Sequence, residues 1–339
     1  MPSRNSNNGT LAFPPLRRHL SALLLSMPLL ISSGATSAGE AANSTPDIWL
    51  GKLVHSMSEL NYRGVMSYTR GSHLESLRIT HGTFNGEQYE RLEHLDGERR
   101  EILRHGTQVT CIQLGQRLDL LFHKHLLKEG LAGLDPYYDI QLGGEDRVAG
   151  RRAVTIHIKP RDEFRFGYNL ALDYDTGLLL RLESFDAAGL VMERLQFVEV
   201  EIGQPLKKEW LGDIAAATKA ASDPAPIDRV VEESQMSWRP QWLPPGFVLS
   251  VAPHRPSEEV LTYSDGLAVL SVFVEQAREP LPSSDGSAAQ GATVAYTRPA
   301  LFGGNPYLIT VLGEVPQATA RRVANSVVTP ALPASAKAR

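Results

Sequence analysis

The stretch "AVTIHIKPRDEFRFGYNLALDYDTGLLLRLESF", residues 153–185, decides the fold. In its first part Val154, Ile156 and Ile158 alternate with polar residues, and "YNLALDY" repeats the alternation. Successive side chains of a strand point to opposite faces, so each run predicts a strand with one apolar face. The short turn-forming segments between the runs predict antiparallel hairpins.

The same stretch contains Asp175-Thr176-Gly177, the tripeptide that carries the catalytic carboxylate in aspartic proteases. Such a site needs two carboxylates that share a proton. Asp265 and Asp285 stand in "SDG" and supply no second motif, although a second copy of the chain could. Asp, Thr and Gly are each favoured in hairpin loops. The tripeptide therefore predicts a turn between two strands.

Turn signals recur from Tyr62 to Ile202 and predict a meander of about eight to eleven strands. The signals are Asn85-Gly86, Asp96-Gly97, Ala149-Gly150, Asp175-Thr176-Gly177 and Ala188-Gly189. Strands with one apolar face need that face covered. The Leu-rich stretch 118–138 lacks alternation and is a candidate cover, either as a helix or as a loop.

A helix is expected before the first strand. Pro46 stands where a first helical residue fits, with Ser44 or Thr45 as the cap. Trp49, Leu53, Met57 and Leu60 follow at spacings of three or four residues. This pattern predicts one amphipathic helix that opens the domain.

Residues 45–202 form the first predicted domain, and 203–237, rich in Ala, Lys, Asp and Pro, the linker. Residues 238–328 form a smaller β domain, with turns at Ser264-Asp265-Gly266 and Gly303-Gly304-Asn305 and a last helix after Pro316. Residues 329–339 are expected to be disordered. The predicted fold class is α+β, mainly antiparallel β.

The first residues predict export. Arg17 and Arg18 precede the apolar run "LSALLLSMPLLI", which is too short to cross a bilayer comfortably, and small residues follow. Residues 1–38 therefore predict a signal peptide, cleaved near residues 35–42, and a periplasmic address. An uncleaved anchor is the alternative.

Composition and motifs argue against several functions. The formal net charge is −4 in 339 residues, so no basic excess points to nucleic acid. Cys111 is the only cysteine and is interpreted as a small buried residue. His123 and His125 share a strand face but lack further ligands, so no metal or cofactor is expected. No G-x-S-x-G, P-loop or G-x-G-x-x-G motif supports catalysis.

Over residues 47–328 the sequence resembles the RseB or MucB family, periplasmic negative regulators of the envelope-stress sigma factor. The resemblance is carried by "YRGVMSYTRG" (62–71), "HLDGERREILRHGTQVTCI" (94–112), "VAGRRAVTIHIKPRDEFRFGYNLALDYDTGLLLRLESFDAAGLVMERLQF" (148–197), "WLPPGF" (242–247), "LTYSDGLAVLSVFVE" (261–275) and "VLGEVPQATARRVANSV" (311–327). The family places its "DTG" in a turn, as the turn argument does.

The resemblance implies a first domain like LolA and LolB, a half-open antiparallel barrel around helices with an apolar cavity. It implies that the smaller domain contacts the periplasmic segment of a membrane anti-sigma factor of the RseA or MucA type. Family members shield that segment from proteolysis and are thought to release it on binding mislocalised lipopolysaccharide or a related lipid. No reaction is implied.

Three groups of candidate site residues follow, each with a structural alternative. For the lipid cavity they are Trp49, Leu53, Met57, Leu121, Phe122, Leu126, Leu127, Leu170 and Leu172, which are otherwise ordinary core. For lipid phosphates they are Arg63, Arg70, Arg99 and Arg100, otherwise solvated charges. For the partner they are Trp242, Phe247, Tyr263 and Asp265, otherwise a structural corner and a hairpin turn.

Two other function classes stay open. A periplasmic carrier of lipids or lipoproteins, of the LolA type, would bind acyl chains without regulating a partner, although it would not need the second β domain. A hydrolase would turn over an ester or a peptide, although the motifs for it are missing. A homo-oligomer is compatible with all of these.

Overall fold

The computed structural model describes residues 45–105, 108–112, 133–211, 238–250, 259–277 and 282–328. The chain begins there with helix α1, Pro46–Glu59, whose first residue is the expected proline. Thr45 occupies the cap position with an extended backbone, but its side chain makes no capping hydrogen bond. Trp49, Leu50 and Ser56 form the buried face of α1, so the predicted amphipathic helix is confirmed.

Ten antiparallel strands form the large sheet, in the order β5-β4-β3-β2-β1-β10-β9-β8-β7-β6. They are β1 (Tyr62–Arg70), β2 (His73–Phe84), β3 (Glu87–His94), β4 (Glu101–His105), β5 (Gln108–Ile112), β6 (Tyr138–Val148), β7 (Arg151–Pro160), β8 (Gly167–Asp173), β9 (Leu179–Phe185) and β10 (Val191–Ile202). The chain starts at the centre, runs to one edge, and returns from the other edge to pair β10 with β1. Within the described residues β5 and β6 are therefore the two edges of an open sheet.

The predicted hairpin turns are confirmed by their backbone conformations. Asn85 and Ala149 adopt positive φ angles of 52° and 50°, and Gly97, Gly177 and Gly189 are also positive. Each of these residues lies in or beside the turn between two paired antiparallel strands, because the left-handed conformation lets the chain reverse tightly.

The buried side of the large sheet holds two apolar clusters. One contains Tyr62, Met66, Leu77, Ile79 and Phe197 among others, with Met57 of α1 packed against it. The second contains Trp49 and Leu50 of α1, with Leu134, Tyr138, Ile156, Ile158, Leu170 and Leu172. Helix α1 therefore contacts both clusters and covers part of the apolar sheet face.

A second sheet has six antiparallel strands in the order β12-β13-β14-β17-β16-β15. These are β12 (Val248–Leu249), β13 (Glu259–Ser264), β14 (Val269–Gln276), β15 (Gly286–Gln290), β16 (Thr293–Phe302) and β17 (Asn305–Gly313). Helix α2, Gln317–Asn325, buries Ala320, Val323 and Ala324 in the core of this sheet. A separate short pair joins β11 (Arg239–Pro240) to β18 (Val327–Val328). The mainly β, α+β fold class with a smaller C-terminal sheet and a terminal helix is thus confirmed.

The segment after β10 does not leave the large sheet at once. Gly203 N–H donates to the Asn61 carbonyl at 2.7 Å, and Leu206 and Leu211 are buried. Arg91 of β3 donates to the Trp210 carbonyl at 3.1 Å. Residues 203–211, which composition assigns to the linker, are therefore attached to the sheet, while the domain boundaries as a whole stay a prediction.

Candidate functional site

Four of the nine predicted cavity residues lie together. Trp49, Leu170 and Leu172 are buried in the second cluster, and Leu53 packs against it half-buried. Met57 lies on the same helix but packs against the other cluster. Leu121, Phe122, Leu126 and Leu127 lie outside the described residues.

A small apolar cavity lies beside Met57. Its lining includes Tyr62, Met66 and Leu180, and its volume is about 10 Å³. That volume is close to what one water molecule occupies, so this cavity has no room for an acyl chain unless the helix and the sheet move apart.

The four arginines predicted for lipid phosphates do not form one cluster. Arg63 and Arg70 are seven residues apart on β1, so they point to opposite faces of the sheet. Arg63 stacks over Trp210 at 5.0 Å, and Arg70 lies 4.0 Å from a carboxylate oxygen of Glu75. Arg99 and Arg100 are exposed in the turn before β4, separate from the contacts that Arg63 and Arg70 make on β1.

The residues predicted for the partner lie mainly against the large sheet or in the core of the small one. Trp242 is half-buried and meets Phe164 edge to face, with ring centroids 5.3 Å apart. Phe247 and Tyr263 are buried among the core residues of the small sheet. Asp265 is buried too, with a fully covered side chain. In this conformation Phe247, Tyr263 and Asp265 are not presented to solvent.

Asp265 stands in the turn between β13 and β14, and the turn itself fixes one of its carboxylate oxygens. Oδ1 accepts hydrogen bonds from the backbone N–H groups of Leu267 at 2.9 Å and Ala268 at 2.8 Å. This is the local bond by which an aspartate stabilises a hairpin turn. The second oxygen, Oδ2, is free of the turn and directed at the large sheet.

Two side chains of the large-sheet domain converge on that oxygen. Arg165 Nη1 donates to Asp265 Oδ2 at 2.6 Å, and the Tyr138 hydroxyl donates to the same atom at 2.9 Å. Arg165 Nη2 also donates to the Pro245 carbonyl at 2.6 Å. On its own side Arg165 Nε donates to Asp162 Oδ1 at 3.0 Å. We call these five residues, Tyr138, Asp162, Arg165, Pro245 and Asp265, the junction.

Aromatic rings enclose the arginine. The centre of its guanidinium lies 5.0 Å from the Tyr137 ring, 5.3 Å from the Tyr138 ring and 5.5 Å from the Phe247 ring. The side chains of both Arg165 and Asp265 are completely buried. The attraction between the two charges is much stronger here than at a surface, but both charges have lost their water.

The electrostatics of the junction favour its charged form. Burial alone would lower the pKa of Arg165, but the charge of Asp265 and the Asp162 hydrogen bond outweigh burial, and the pKa is raised. Burial, and then the Asp265 charge, hold the pKa of Tyr138 well above its ordinary value. Tyr138 therefore stays a neutral donor beside an arginine that stays charged.

Other contacts join the same two regions. The Thr319 hydroxyl at the start of α2 donates to the Phe164 carbonyl at 3.1 Å. Arg322 of α2 lies 5.5 Å from the Phe164 ring centre. Further along, the Ala292 N–H donates to Glu193 Oε1 of β10 at 3.0 Å. Residues Ser44–Arg339 accordingly form one unit of the chain.

The protease-like tripeptide has a structural role. Asp175 is 79% exposed at its side chain. The buried carboxylate of this turn is that of Asp173, two residues earlier, which accepts hydrogen bonds from the Thr176 N–H at 3.0 Å and the Thr176 hydroxyl at 2.7 Å. The interpretation of the tripeptide as a turn is therefore confirmed.

Sequence reasoning missed the other half of the junction. Asp265, Phe247 and the "PPG" turn were visible as unusual turn residues, whereas Arg165 and Tyr138 stood in the sequence as ordinary members of "RDEFRF" and of a strand. Within the described residues no group of three or more His, Cys, Asp or Glu side chains is placed to hold a metal. No helix in the described ranges is long and apolar enough to cross a membrane.

Comparison with known families gives matches over most of the chain. Residues 45–215 match the MucB/RseB N-terminal domain, and residues 232–328 match the MucB/RseB C-terminal domain. A curated relative, "Sigma factor AlgU regulatory protein MucB" of Pseudomonas aeruginosa, is 35% identical over 90% of this chain and 96% of its own length. "Sigma-E factor regulatory protein RseB" of Haemophilus influenzae is 30% identical over 89% and 96%.

Solved structures agree. "Crystal structure of MucB in complex with MucA(peri)" superimposes with a TM-score of 0.69 at 33% identity, over 85% of this chain and 100% of that chain. "Crystal structure of MucB" superimposes with a TM-score of 0.64 at 32% identity, over 86% and 99%. Two family domains in the same order, with relatives matched nearly end to end, lead to one conclusion: the chain belongs to the MucB/RseB family.

Proposed function

We propose that this chain binds the periplasmic segment of a membrane anti-sigma factor and thereby restrains an envelope-stress sigma factor. The observation that carries the proposal is the match to MucB in complex with MucA(peri), which extends over the whole of that MucB chain. The match covers 85% of this chain and therefore includes residues of both sheets.

The docked arrangement is proposed to be the one that binds. The TM-score of this chain is higher with MucB in complex with MucA(peri), 0.69, than with the "Crystal structure of MucB", 0.64. A surface that extends over both sheets exists only while the sheets stay docked. Bound to such a surface, the partner segment is withheld from a protease, because a protease needs its substrate extended and accessible in its own cleft. Binding alone then accounts for protection, and no reaction is proposed.

We propose further that an acyl chain releases the partner. The cavity beside Met57 is too small for such a chain, so occupation of that place requires α1 to move away from the sheet. A ligand that binds only the altered conformation lowers partner affinity by reciprocal linkage. Reversing a 99:1 population takes about 5.5 kcal/mol, which about seven buried methylenes at about 0.8 kcal/mol each supply.

The proposed place of action is the periplasm. The Arg17-Arg18 pair, the apolar run after it and the small residues near residues 35–42 support export and cleavage. The mature protein then meets the part of a membrane-spanning partner that faces the same compartment. Lipopolysaccharide in transit or mislocalised is available there as the lipid.

The test is a protection assay with residues 40–339 and the periplasmic anti-sigma segment of the same organism. The rate at which the stress protease cuts the segment is measured alone, with the chain, and with the chain plus lipopolysaccharide fragments. We expect the chain to slow cleavage and the lipid to restore it. Unchanged cleavage in the presence of the chain contradicts the proposal; protection that lipid does not relieve contradicts its lipid part.

A matched pair of variants locates the lipid effect. Met57→Gln places a polar amide in the wall of the small cavity without adding volume, which disfavours a buried acyl chain there, whereas His55→Gln makes the same side chain at an exposed position of the same helix. We expect Met57→Gln to protect the segment but to respond less to lipid, and His55→Gln to behave as the wild type. An equal lipid response in both variants places the lipid elsewhere. Lipid that copurifies with a chain that binds no partner favours the carrier function.

A further inference from the structure

The two halves of the junction are each supported within their own sheet. The two oxygens of Asp265 have different partners: Oδ1 accepts from the N–H groups of its own turn, and Oδ2, among the described residues, accepts only from the other domain. Removal of the other domain would leave the turn and its hydrogen bonds complete. Only Oδ2 would need water.

Arg165 is arranged in the same way. Asp162, three residues away in its own loop, accepts from Nε at 3.0 Å and lies 3.0 Å from Nη2. The bonds of Nη1 to Asp265 and of Nη2 to the Pro245 carbonyl cross between the sheets. Asp162 is itself partly exposed, so the separated arginine would keep a counter-charge and gain water.

We propose that the junction is a latch: the two sheets dock reversibly through Arg165 and Asp265, and the docked form is the one that binds the anti-sigma partner. The docking part rests on the geometry alone, whereas its effect on binding rests on the proposed function. Each half of the latch keeps its shape when open, because its local hydrogen bonds do not depend on the other sheet.

Buried ion pairs suit such a role better than a purely apolar contact does. Their attraction is largely offset by the water both ions lose, so the closed state gains little net free energy from a complete pair. Removal of one partner is a different matter, because the remaining charge stays buried and unpaired. The intact pair therefore fixes the geometry of docking while it contributes little net free energy, and docking is sensitive to the loss of one partner.

The close fit at this contact limits the docked state to one orientation. Gly246 of the "PPG" turn has a positive φ of 88° and lies directly against the Tyr137 ring, where a Cβ atom would collide. Leu267, in the Asp265 turn, packs against the second apolar cluster of the large sheet. The ion pair therefore forms only when turn, ring and arginine are all in register.

The experiment measures the distance between spin labels on the two sheets of residues 40–339. Labels are attached at the exposed positions Glu98→Cys and Leu301→Cys after Cys111, the only native cysteine, is replaced by Ser. Arg165→Met removes the latch charge. Arg152→Met is the matched control, because Arg152 pairs with Glu145 at the surface of one sheet.

We expect one narrow distance distribution for the wild type and for Arg152→Met. Arg165→Met should lower the ratio of docked to separated molecules by a factor on the order of 100 and give a broad second population. An unchanged narrow distribution in Arg165→Met overturns the latch. If that variant does not fold, Asp265→Asn, which removes the charge but keeps an oxygen for the turn amides, takes its place: a broadened distribution supports the latch, and a narrow one overturns it.

Partner affinity separates the latch from the proposed function. If the docked form is the one that binds, Arg165→Met should raise the Kd for the anti-sigma segment at least about 10-fold, and Arg152→Met should leave the Kd unchanged. A broadened distribution with an unchanged Kd overturns the link between docking and binding. A wild type that binds no segment rejects the proposed function, and the distance distributions then decide the latch alone.

Discussion

Two buried aspartates, Asp173 and Asp265, both accept hydrogen bonds from their own hairpin turns but differ in their ionic partners. Asp173 pairs with Arg151 on the neighbouring strand, 2.5 Å from Arg151 Nε. Asp265 pairs with Arg165, which is 100 residues away in sequence and belongs to the other sheet. One aspartate completes a single hairpin, and the other joins two domains.

The exposure of the arginines determines what each pair contributes. The Arg151 side chain is 31% exposed, whereas that of Arg165 is fully buried. Water reaches Arg151 when its aspartate is removed, but Arg165 stays out of water, with only the partly exposed Asp162 as counter-charge, for as long as the sheets stay docked. The same turn chemistry is therefore local in one place and decides the arrangement of domains in the other.

The largest effect is expected from Asp265→Ala. Loss of the acid that meets Arg165 across the junction should lower the free energy of unfolding by about 3–5 kcal/mol, as for other broken buried pairs. Urea denaturation followed by tryptophan fluorescence measures it. Asp265→Asn, which keeps an oxygen acceptor for the turn amides, is the control and should cost less. A loss below about 1 kcal/mol for Asp265→Ala would mean that other contacts between the sheets supply the free energy of docking.

Asp173→Ala should have a smaller effect, about 1–3 kcal/mol, because the turn loses its acceptor but Arg151 becomes hydrated. The loss should appear in the large sheet alone, and the distance between labels on the two sheets should not change. Hydrogen exchange of β8 and β9 amides measures the local effect. Protection lost equally in the small sheet would contradict the separation of the two roles.

Acid should weaken the Asp173 turn in a predictable direction. Burial would raise the pKa of Asp173, but hydrogen bonds from Arg151 and Thr176 outweigh it, so the pKa lies below its ordinary value. A depressed folded-state pKa stabilises the protein above the unfolded-state pKa, about 3.9, and this stabilisation is lost as pH falls through the folded value. We therefore expect unfolding free energy to decrease below about pH 4 in the wild type, and less so in Asp173→Asn. Parallel curves would contradict this.

The two turns also differ at their glycines. Gly177 has a φ of 78°, and an added Cβ would lie 2.6 Å from Lys52 Cβ of α1; Gly266 has a φ of 99°, with its nearest contact at 3.4 Å. We expect Gly177→Ala to cost about 2 kcal/mol from backbone strain and crowding, and Gly266→Ala about 1 kcal/mol from the backbone alone. Thermal denaturation of both variants measures the difference. A greater loss for Gly266→Ala would contradict the role of the helix contact.

The smallest effect is expected at Asp175, the residue that resembles a protease carboxylate. It is exposed, and its oxygen lies 3.6 Å from Arg151 Nη2. Asp175→Ala should change the free energy of unfolding by less than about 0.5 kcal/mol, as for other surface pairs. Partner binding should not change either. A large loss of stability would mean that Asp175, not Asp173, is the structural acid of the turn.

The features that could be predicted from sequence are local ones. The alternation in β7 and β8, the turns at Asn85 and Gly177, and the helix after Thr45 depend on residues a few positions apart. Strand β15 has no signal in the sequence, because "GSAAQ" lacks apolar alternation; its residues are exposed and it forms by pairing with β16. That pairing is a tertiary effect, which local propensity does not encode.

The candidate site was predicted only in part, for the same reason. Trp242, Phe247 and Asp265 were recognised as unusual turn residues, but which surface they meet depends on Tyr138 and Arg165, which lie 127 and 100 residues from Asp265. One sequence carries no signal for a contact at such separation. The predicted cavity residues Trp49, Leu53, Leu170 and Leu172 were brought together because helix and strand periodicity point them to one core.

The most direct measurement is a calorimetric titration of residues 40–339 with the periplasmic segment of the anti-sigma factor from the same organism. We expect saturable binding with a fixed stoichiometry, and a higher Kd when lipopolysaccharide fragments are present. No heat of binding across the titration, with a chain shown to be folded by its circular dichroism, would contradict the proposal that this family member restrains a sigma factor through that partner.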